Sequence, residues 1–208
     1  MSCEESDRKI IIHGICASCL FLFVFLAMAV TGCGRKKYDI STYEFKKNGH
    51  IIEHMSEEFP PDSYDESDWE KETGSLIEAY DKKNKDAIRL YDISAEEGIL
   101  RCSVEYADDD AYYYLNEQPL FYGTVDQALK AGYSLSFDVY DVKGELVKND
   151  VIRGMRDSHI IIMNAYTADG ADVLLYKKAK YVTGNAEVDS SLKRLHITDD
   201  NTVYIVFD

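Results

Sequence analysis

Ile99-Leu100-Arg101-Cys102-Ser103-Val104-Glu105-Tyr106 alternates apolar and polar residues at every step. A period of two sends Leu100, Cys102, Val104 and Tyr106 to one face and Arg101, Ser103 and Glu105 to the other, the pattern of a half-buried β-strand. Cys102 is therefore expected to face the core and to behave as a small hydrophobe, not as a reactive thiol. Upstream, Ala87–Ile93 reads as a partner strand across the turn Ser-Ala-Glu-Glu-Gly at 94–98. Further out, Tyr43–Lys47 and His50–Ser56 flank Asn48-Gly49, a hairpin with a two-residue turn. After the break at Pro60-Pro61-Asp62, Ser67 and Glu70 have capping-box spacing. Trp69, Thr73, Leu76, Ile77 and Tyr80 then fall at helical intervals, so a helix is expected to about Asn84.

Beyond Tyr106, Asp108 or Asp109 can cap a short helix reaching Asn116. Leu120–Gly123 reads as a strand. Thr124 and Gln127 form a second capping box, and Gly132 stands where that helix should end. Leu135–Val142 alternates again. His159–Met163 is a continuous apolar run, as in a strand buried on both faces. Val173–Tyr176, Lys180–Thr183, Leu192–Thr198 and Val203–Phe207 complete a strand-rich second half. The expected class is α+β, a mainly antiparallel sheet of short strands and hairpins with two or three short helices, following an N-terminal hydrophobic signal helix.

The chain has 208 residues, 46% hydrophobic and 29% charged, which excludes a disordered or polytopic membrane protein for its bulk. Its 38 acidic residues outweigh 23 Lys and Arg, for a net charge of −15, so a phosphate backbone is repelled and no nucleic-acid partner is expected.

Arg8-Lys9 precedes an apolar run over 10–30, which closes on Val30-Thr31-Gly32-Cys33. A basic step, an apolar stretch and small residues before a cut are the parts of a secretory signal. The ending resembles the lipobox of bacterial lipoproteins. The resemblance implies that a diacylglycerol is attached to the Cys33 sulfur, that residues 1–32 are a lipoprotein signal peptide, and that Cys33 begins the mature chain. Residues 33–41 would be the lipidated cysteine and a tether, and 42–208 a single α+β extracytoplasmic domain. The rival is an uncleaved anchor, since residues 10–30 span about 31 Å as a helix and Arg35-Lys36-Lys37 follows. Cleavage would remove Cys3, Cys16 and Cys19, and an acylated Cys33 leaves Cys102 without a disulfide partner.

Tyr-Glu-Phe-Lys-Lys-Asn-Gly at 43–49, the helix around Trp69, Leu120–Leu129, Asp157–Ile162 and Val203–Phe207 occur in an order that resembles a group of small uncharacterised lipoproteins of anaerobic Gram-positive bacteria. The resemblance implies a lipid-anchored position on the extracytoplasmic face of the cell membrane, held through Cys33, and assigns no catalytic residues.

Asp157-Ser158-His159 contains the letters of a hydrolase triad, but neighbouring strand residues point to opposite faces, so Ser158 and His159 cannot meet. His50 and His54 would sit about 13 Å apart on a strand, as exposed edge residues, a poor start for a zinc site. The acidic stretches 62–68, 108–110 and 199–201 lack calcium-loop spacing and suit helix caps and turns. No catalytic residue, metal ligand or cofactor is expected. Tyrosine is abundant, with 16 residues, and Tyr112-Tyr113-Tyr114 on a helix must fan over about 200°. At least one ring should lie outside. Together with Tyr122 these form the expected binding surface, for an envelope protein, peptide or glycan. The function expected is a non-catalytic binding or interaction module at the cell envelope; the alternative is an extracytoplasmic hydrolase with an active site the motifs do not reveal.

Overall fold

The alternating stretch becomes strand β4, Ile99–Tyr106, with Leu100, Cys102, Val104 and Tyr106 buried and the residues between them half-exposed. In the computed structural model, which describes residues 37–58, 66–164 and 170–208, this strand is an inner member of a sheet. The signal segment, Cys33 and the 60–62 break lie outside the described residues. Tyr38–Asp208 form one compact unit.

β3 (Ile88–Glu96) pairs with β4 from Ile88↔Tyr106 to Glu96↔Ile99. The expected five-residue turn is only Glu97-Gly98. Both have positive φ, 55° and 77°, a type I′ turn whose twist suits the flanking strands, so 94–96 remain strand. The register shifts between Leu90 and Asp92, leaving Tyr91 as a bulge. β1 (Thr42–Phe45) and β2 (Ile51–Glu58) form the earlier hairpin. The Lys46 N–H donates to the His50 carbonyl at 2.9 Å, so its loop is the three residues 47–49, with Gly49 at φ 94°, in place of a two-residue turn.

β2 also pairs antiparallel with β4, while β1 pairs parallel with β9 (Ala171–Leu175). β12 (Arg194–Ile197) and β11 (Ala186–Val188) extend that side, giving the order β11-β12-β9-β1-β2-β4-β3. The second sheet is antiparallel throughout. Its order is β5 (Leu120–Thr124), β8 (His159–Met163), β13 (Val203–Phe207), β10 (Ala179–Thr183), β6 (Val139–Asp141) and β7 (Leu146–Val147). The fold is α+β and mainly sheet.

Four helices lie among the described residues. α1 (Glu66–Asp81) starts one residue before Ser67, so Ser67 stands in its first turn and not ahead of it as a cap. α2 (Asp109–Asn116) is capped by Asp108, whose side chain accepts from the Ala111 N–H at 2.9 Å. α3 (Val125–Lys130) has the expected capping box in full, with Thr124 and Gln127 bonded reciprocally. It ends at Gly132, φ 92°, where the Gly132 N–H reaches the Leu129 carbonyl and the Tyr133 N–H the Ala128 carbonyl, a Schellman motif. The strand expected over 135–142 shrinks to β6, because Leu135 is buried in a loop under α3 and α4 (Asn149–Gly154). α4, β7 and β11 carry no signal that the sequence reading used.

The main core is filled from both sheets, by Phe45, Tyr106, Val173 and Leu195 from the first and Ile161, Met163, Ile205 and Phe207 from the second. Trp69, Ile77 and Tyr80 of α1 pack against it. On the opposite face of the second sheet, Ile160, Ile162 and Val206 meet Val125 and Ala128 of α3 and Ile152 of α4. β8 is thus buried on both faces, which its unbroken apolar run requires. Among the described residues no helix is long and apolar enough to cross a membrane.

Candidate functional site

The four tyrosines singled out from the sequence divide among three environments. Tyr112 is 3% exposed and meets Tyr106 edge-on at 5.2 Å. Tyr113 is 57% exposed, and Tyr114, 39% exposed, leans over Tyr80 at 4.4 Å. Successive residues turning by about 100° around α2 produce this fan. Tyr122 is half-buried elsewhere: its hydroxyl donates to the Lys46 carbonyl at 2.7 Å, and its ring partners are Phe45, His159 and Phe207. None of the α2 tyrosines is among its ring partners.

Asp157, Ser158 and His159 separate as alternation demands. The Ser158 hydroxyl donates to Asp208 at 2.8 Å, while the His159 ring stacks on Phe207. Burial, then the nearby Lys177 ammonium, lowers the His159 pKa. Of the acidic stretches, Asp108 serves as the α2 cap, and Asp199 accepts from the Asn185 amide and the Asn201 N–H.

His50 and His54 are not edge residues, because β2 lies between β1 and β4. Each finds a carboxylate on the outer face of the first sheet. His50 Nδ1 is 2.8 Å from Glu105, and His54 Nε2 is 3.3 Å from Glu44. His196 Nδ1 similarly lies 3.1 Å from Asp172, which also accepts from Arg194 Nε at 2.7 Å. His54 Nδ1 lies 2.9 Å from the Ser103 hydroxyl, while His54 Nε2, 3.3 Å from Glu44, makes no hydrogen bond among the described residues, so the three are neighbours without the continuous relay of a nucleophile–base–acid triad. β4 is hydrogen-bonded to strands on both sides, so its own backbone N–H groups are committed to those ladders. The Tyr38 ring lies against His54 at 4.3 Å, and its hydroxyl bonds Glu44. The sequence held the alternation of Ser103, but the register that places it opposite His54 comes only with three assembled strands. Among the described residues no group of three or more His, Cys, Asp or Glu could hold a metal ion.

A concavity lies elsewhere, at the end of the second sheet. An open cleft of about 750 Å³ runs between the start of β10, the β6–β7 turn and the 189–193 turn. Lys177, Lys178, Lys180 and Lys193 line it, with Tyr176, Tyr181, Val142, Val147 and Leu192 as apolar wall and Asp141 and Asp208 as acids. Its frame is tied down. The Ala179 N–H donates to the Leu192 carbonyl at 2.7 Å and the Leu175 N–H to the Lys193 carbonyl at 2.8 Å. Asp189 accepts from both the N–H and the hydroxyl of Ser191, closing the turn that presents Leu192 and Lys193.

Both acids of the cleft already have donors. Asp208 pairs with Lys180 and with Ser158, and these contacts lower its pKa. Asp141 accepts the N–H groups of Lys143 and Glu145, which lower its own. Lys193 Nζ donates to the Tyr176 carbonyl. Lys177 and Lys178 are exposed and form no ion pair among the described residues. The available signal was Tyr176-Lys177-Lys178-Ala179-Lys180, three lysines within four residues of an acidic chain, which periodicity alone reads as a strand with solvated ends. No family model, curated protein or solved structure matches the chain.

Proposed function

We propose that the chain is a lipid-anchored protein of the extracytoplasmic membrane face whose folded unit binds a ligand without chemically transforming it. The observation that carries the binding reading is the cleft. It is a concavity within the volume range of small-molecule sites, lined by an apolar wall and a few charged side chains, the composition such sites share. The lipobox-like Val30-Thr31-Gly32-Cys33 supports the anchor.

Two experiments test these halves separately. Cys33→Ser should release the protein from the membrane fraction, and the mass of the wild-type N-terminal peptide should correspond to an acylated Cys33. A peptide beginning at Met1 with an unmodified Cys33 overturns the anchor. A benzophenone side chain in place of Tyr181 should crosslink in intact cells to an envelope component; irradiation that yields no crosslinked product overturns the binding reading. The hydrolase alternative rests on Ser103, His54 and Glu44. A fluorophosphonate probe should leave Ser103 unlabelled, and labelling that disappears in His54→Ala would favour that alternative.

A further inference from the structure

We infer that the cleft between β10, the β6–β7 turn and the 189–193 turn is a site for a phosphate monoester attached to a flat apolar or sugar-like body. The inference rests on the binding reading above and names the ligand class of that same site.

Charge is the first argument. The chain carries −15 overall, yet four lysines line one cleft against two aspartates. Those carboxylates do not neutralise the set. Asp141 is engaged by backbone N–H groups and Asp208 by Lys180 and Ser158, with Lys177 a further electrostatic neighbour of Asp208; Lys177 and Lys178 are exposed and form no ion pair among the described residues. Lys193 spends one donor on the Tyr176 carbonyl and retains two. A ligand bearing one or two negative charges supplies the missing counter-charge.

The kind of cation is the second argument. All four are lysines, and no arginine lines the cleft. Arginine's planar fork suits flat, bidentate recognition of carboxylate and phosphate alike, whereas lysine acts as a rotatable point charge and binds phosphate without imposing a planar geometry. A tetrahedral phosphate accepts donors from several directions and suits ammonium groups spread along a rim.

Shape is the third. Tyr176, Tyr181, Val142, Val147 and Leu192 give the cleft an apolar side against which a ring or sugar face can lie. An open concavity of about 750 Å³ has room for a small molecule laid against this wall. A bilayer surface presents headgroups on a plane and does not enter it, so the soluble ester is the better fit than a lipid headgroup.

Local charge must overcome the global field, and screening decides this. At physiological ionic strength the Debye length is about 8 Å, so the distant acids are largely screened while the cleft lysines act at contact.

The test uses the whole chain in mild detergent and isothermal titration with phenyl phosphate, inorganic phosphate and phenol. Phenyl phosphate should bind about tenfold or more tighter than either fragment, because it alone engages both the lysines and the apolar wall. The double variant Lys177→Gln, Lys178→Gln alters only exposed side chains and should retain its melting temperature while losing about tenfold in phenyl phosphate affinity. Equal affinity of wild type and double variant for phenyl phosphate, or no binding to either, overturns the phosphate assignment. Binding to vesicles containing phosphatidylglycerol that exceeds binding to phenyl phosphate, and is lost in the double variant, overturns the soluble ester in favour of a headgroup. Crosslinking at position 181 is read independently: crosslinks formed by a protein that fails the phenyl phosphate titration leave the binding function standing while the phosphate assignment fails.

Discussion

Glu44 and Glu53 occupy paired strands, and the structure moves their acidities in opposite directions. Glu44 lies on the outer face of the sheet, where His54, then Lys46 and Tyr38, hold its carboxyl well below the usual range against a smaller opposing effect of burial. Glu53 points inward and is 6% exposed; burial raises its pKa, although the Tyr106 hydroxyl donating at 2.9 Å pulls the other way. A carboxyl with a depressed folded pKa contributes stability above its unfolded value, near 4.3, and loses it as pH falls through the folded one. A raised pKa acts inversely, with stability present below the unfolded value and lost as pH rises through the folded one. Glu53→Gln keeps an acceptor for Tyr106 and removes the charge. It should therefore melt higher than wild type at about pH 7.5 and close to it at about pH 4. Glu44→Gln should melt lower at about pH 7.5, with the gap closing as pH falls toward about 3. Thermal scans at these pH values decide both; a Glu53→Gln loss that is larger at neutral pH would mean that Glu53 is held as a carboxylate. The tyrosines give a second residue-scale contrast. Tyr112→Ser should cost about 3–5 kcal/mol, as a buried ring, and Tyr113→Ser under about 0.5 kcal/mol, in chemical denaturation. Comparable losses for both would remove Tyr113 as an available contact ring.

Elements show where sequence reasoning succeeds and where it stops. The β3–β4 turn requires left-handed backbone at Glu97 and at Gly98. Gly98→Ala should cost about 1–2 kcal/mol, because a Cβ disfavours that region even though the space around it is open. Glu97→Asn should gain about 0.5–1 kcal/mol, asparagine being the residue that tolerates this conformation in type I′ turns. Urea titration of both variants checks the pair; a loss in Glu97→Asn would mean that Glu97 is held by more than its backbone. Strand identity over 99–106 was legible because alternation is local, and the α3 caps were legible because Thr124, Gln127 and Gly132 act within one turn of the backbone. The turn length was not. Ser94, Ala95 and Glu96 look turn-like in isolation and become strand only because Arg101, Leu100 and Ile99 stand opposite them. The Ser103–His54 contact and the cleft were illegible for the same reason. Lys193 joins Tyr176, and Leu192 joins Ala179, across bonds between segments that sequence spacing does not relate. The tyrosine surface was legible only in part: helical geometry correctly requires a fan, but it cannot say which ring turns inward or that Tyr122 packs on Phe45.

The two-sheet core stands without a covalent staple among the described residues, where the single cysteine is Cys102. Burial pushes its thiol up to about 12, so it should resist alkylation in the native state and react once denaturant is added, and reductant should leave the melting temperature unchanged. The larger consequence comes from charge. A net −15 spread over the molecule repels itself, whereas the cleft is a local excess of positive charge within it. Added salt weakens both interactions and therefore has opposite effects on two observables. Raising ionic strength from about 0.01 M to 0.1 M shortens the Debye length from about 30 to 10 Å, which screens the long-range repulsion and should raise the melting temperature. The same change screens the lysines from an incoming phosphate and should weaken phenyl phosphate binding several-fold. Calorimetry and thermal scans on the same samples measure both. Binding that strengthens with salt would mean that the negative field of the whole molecule governs the cleft and that its four lysines do not.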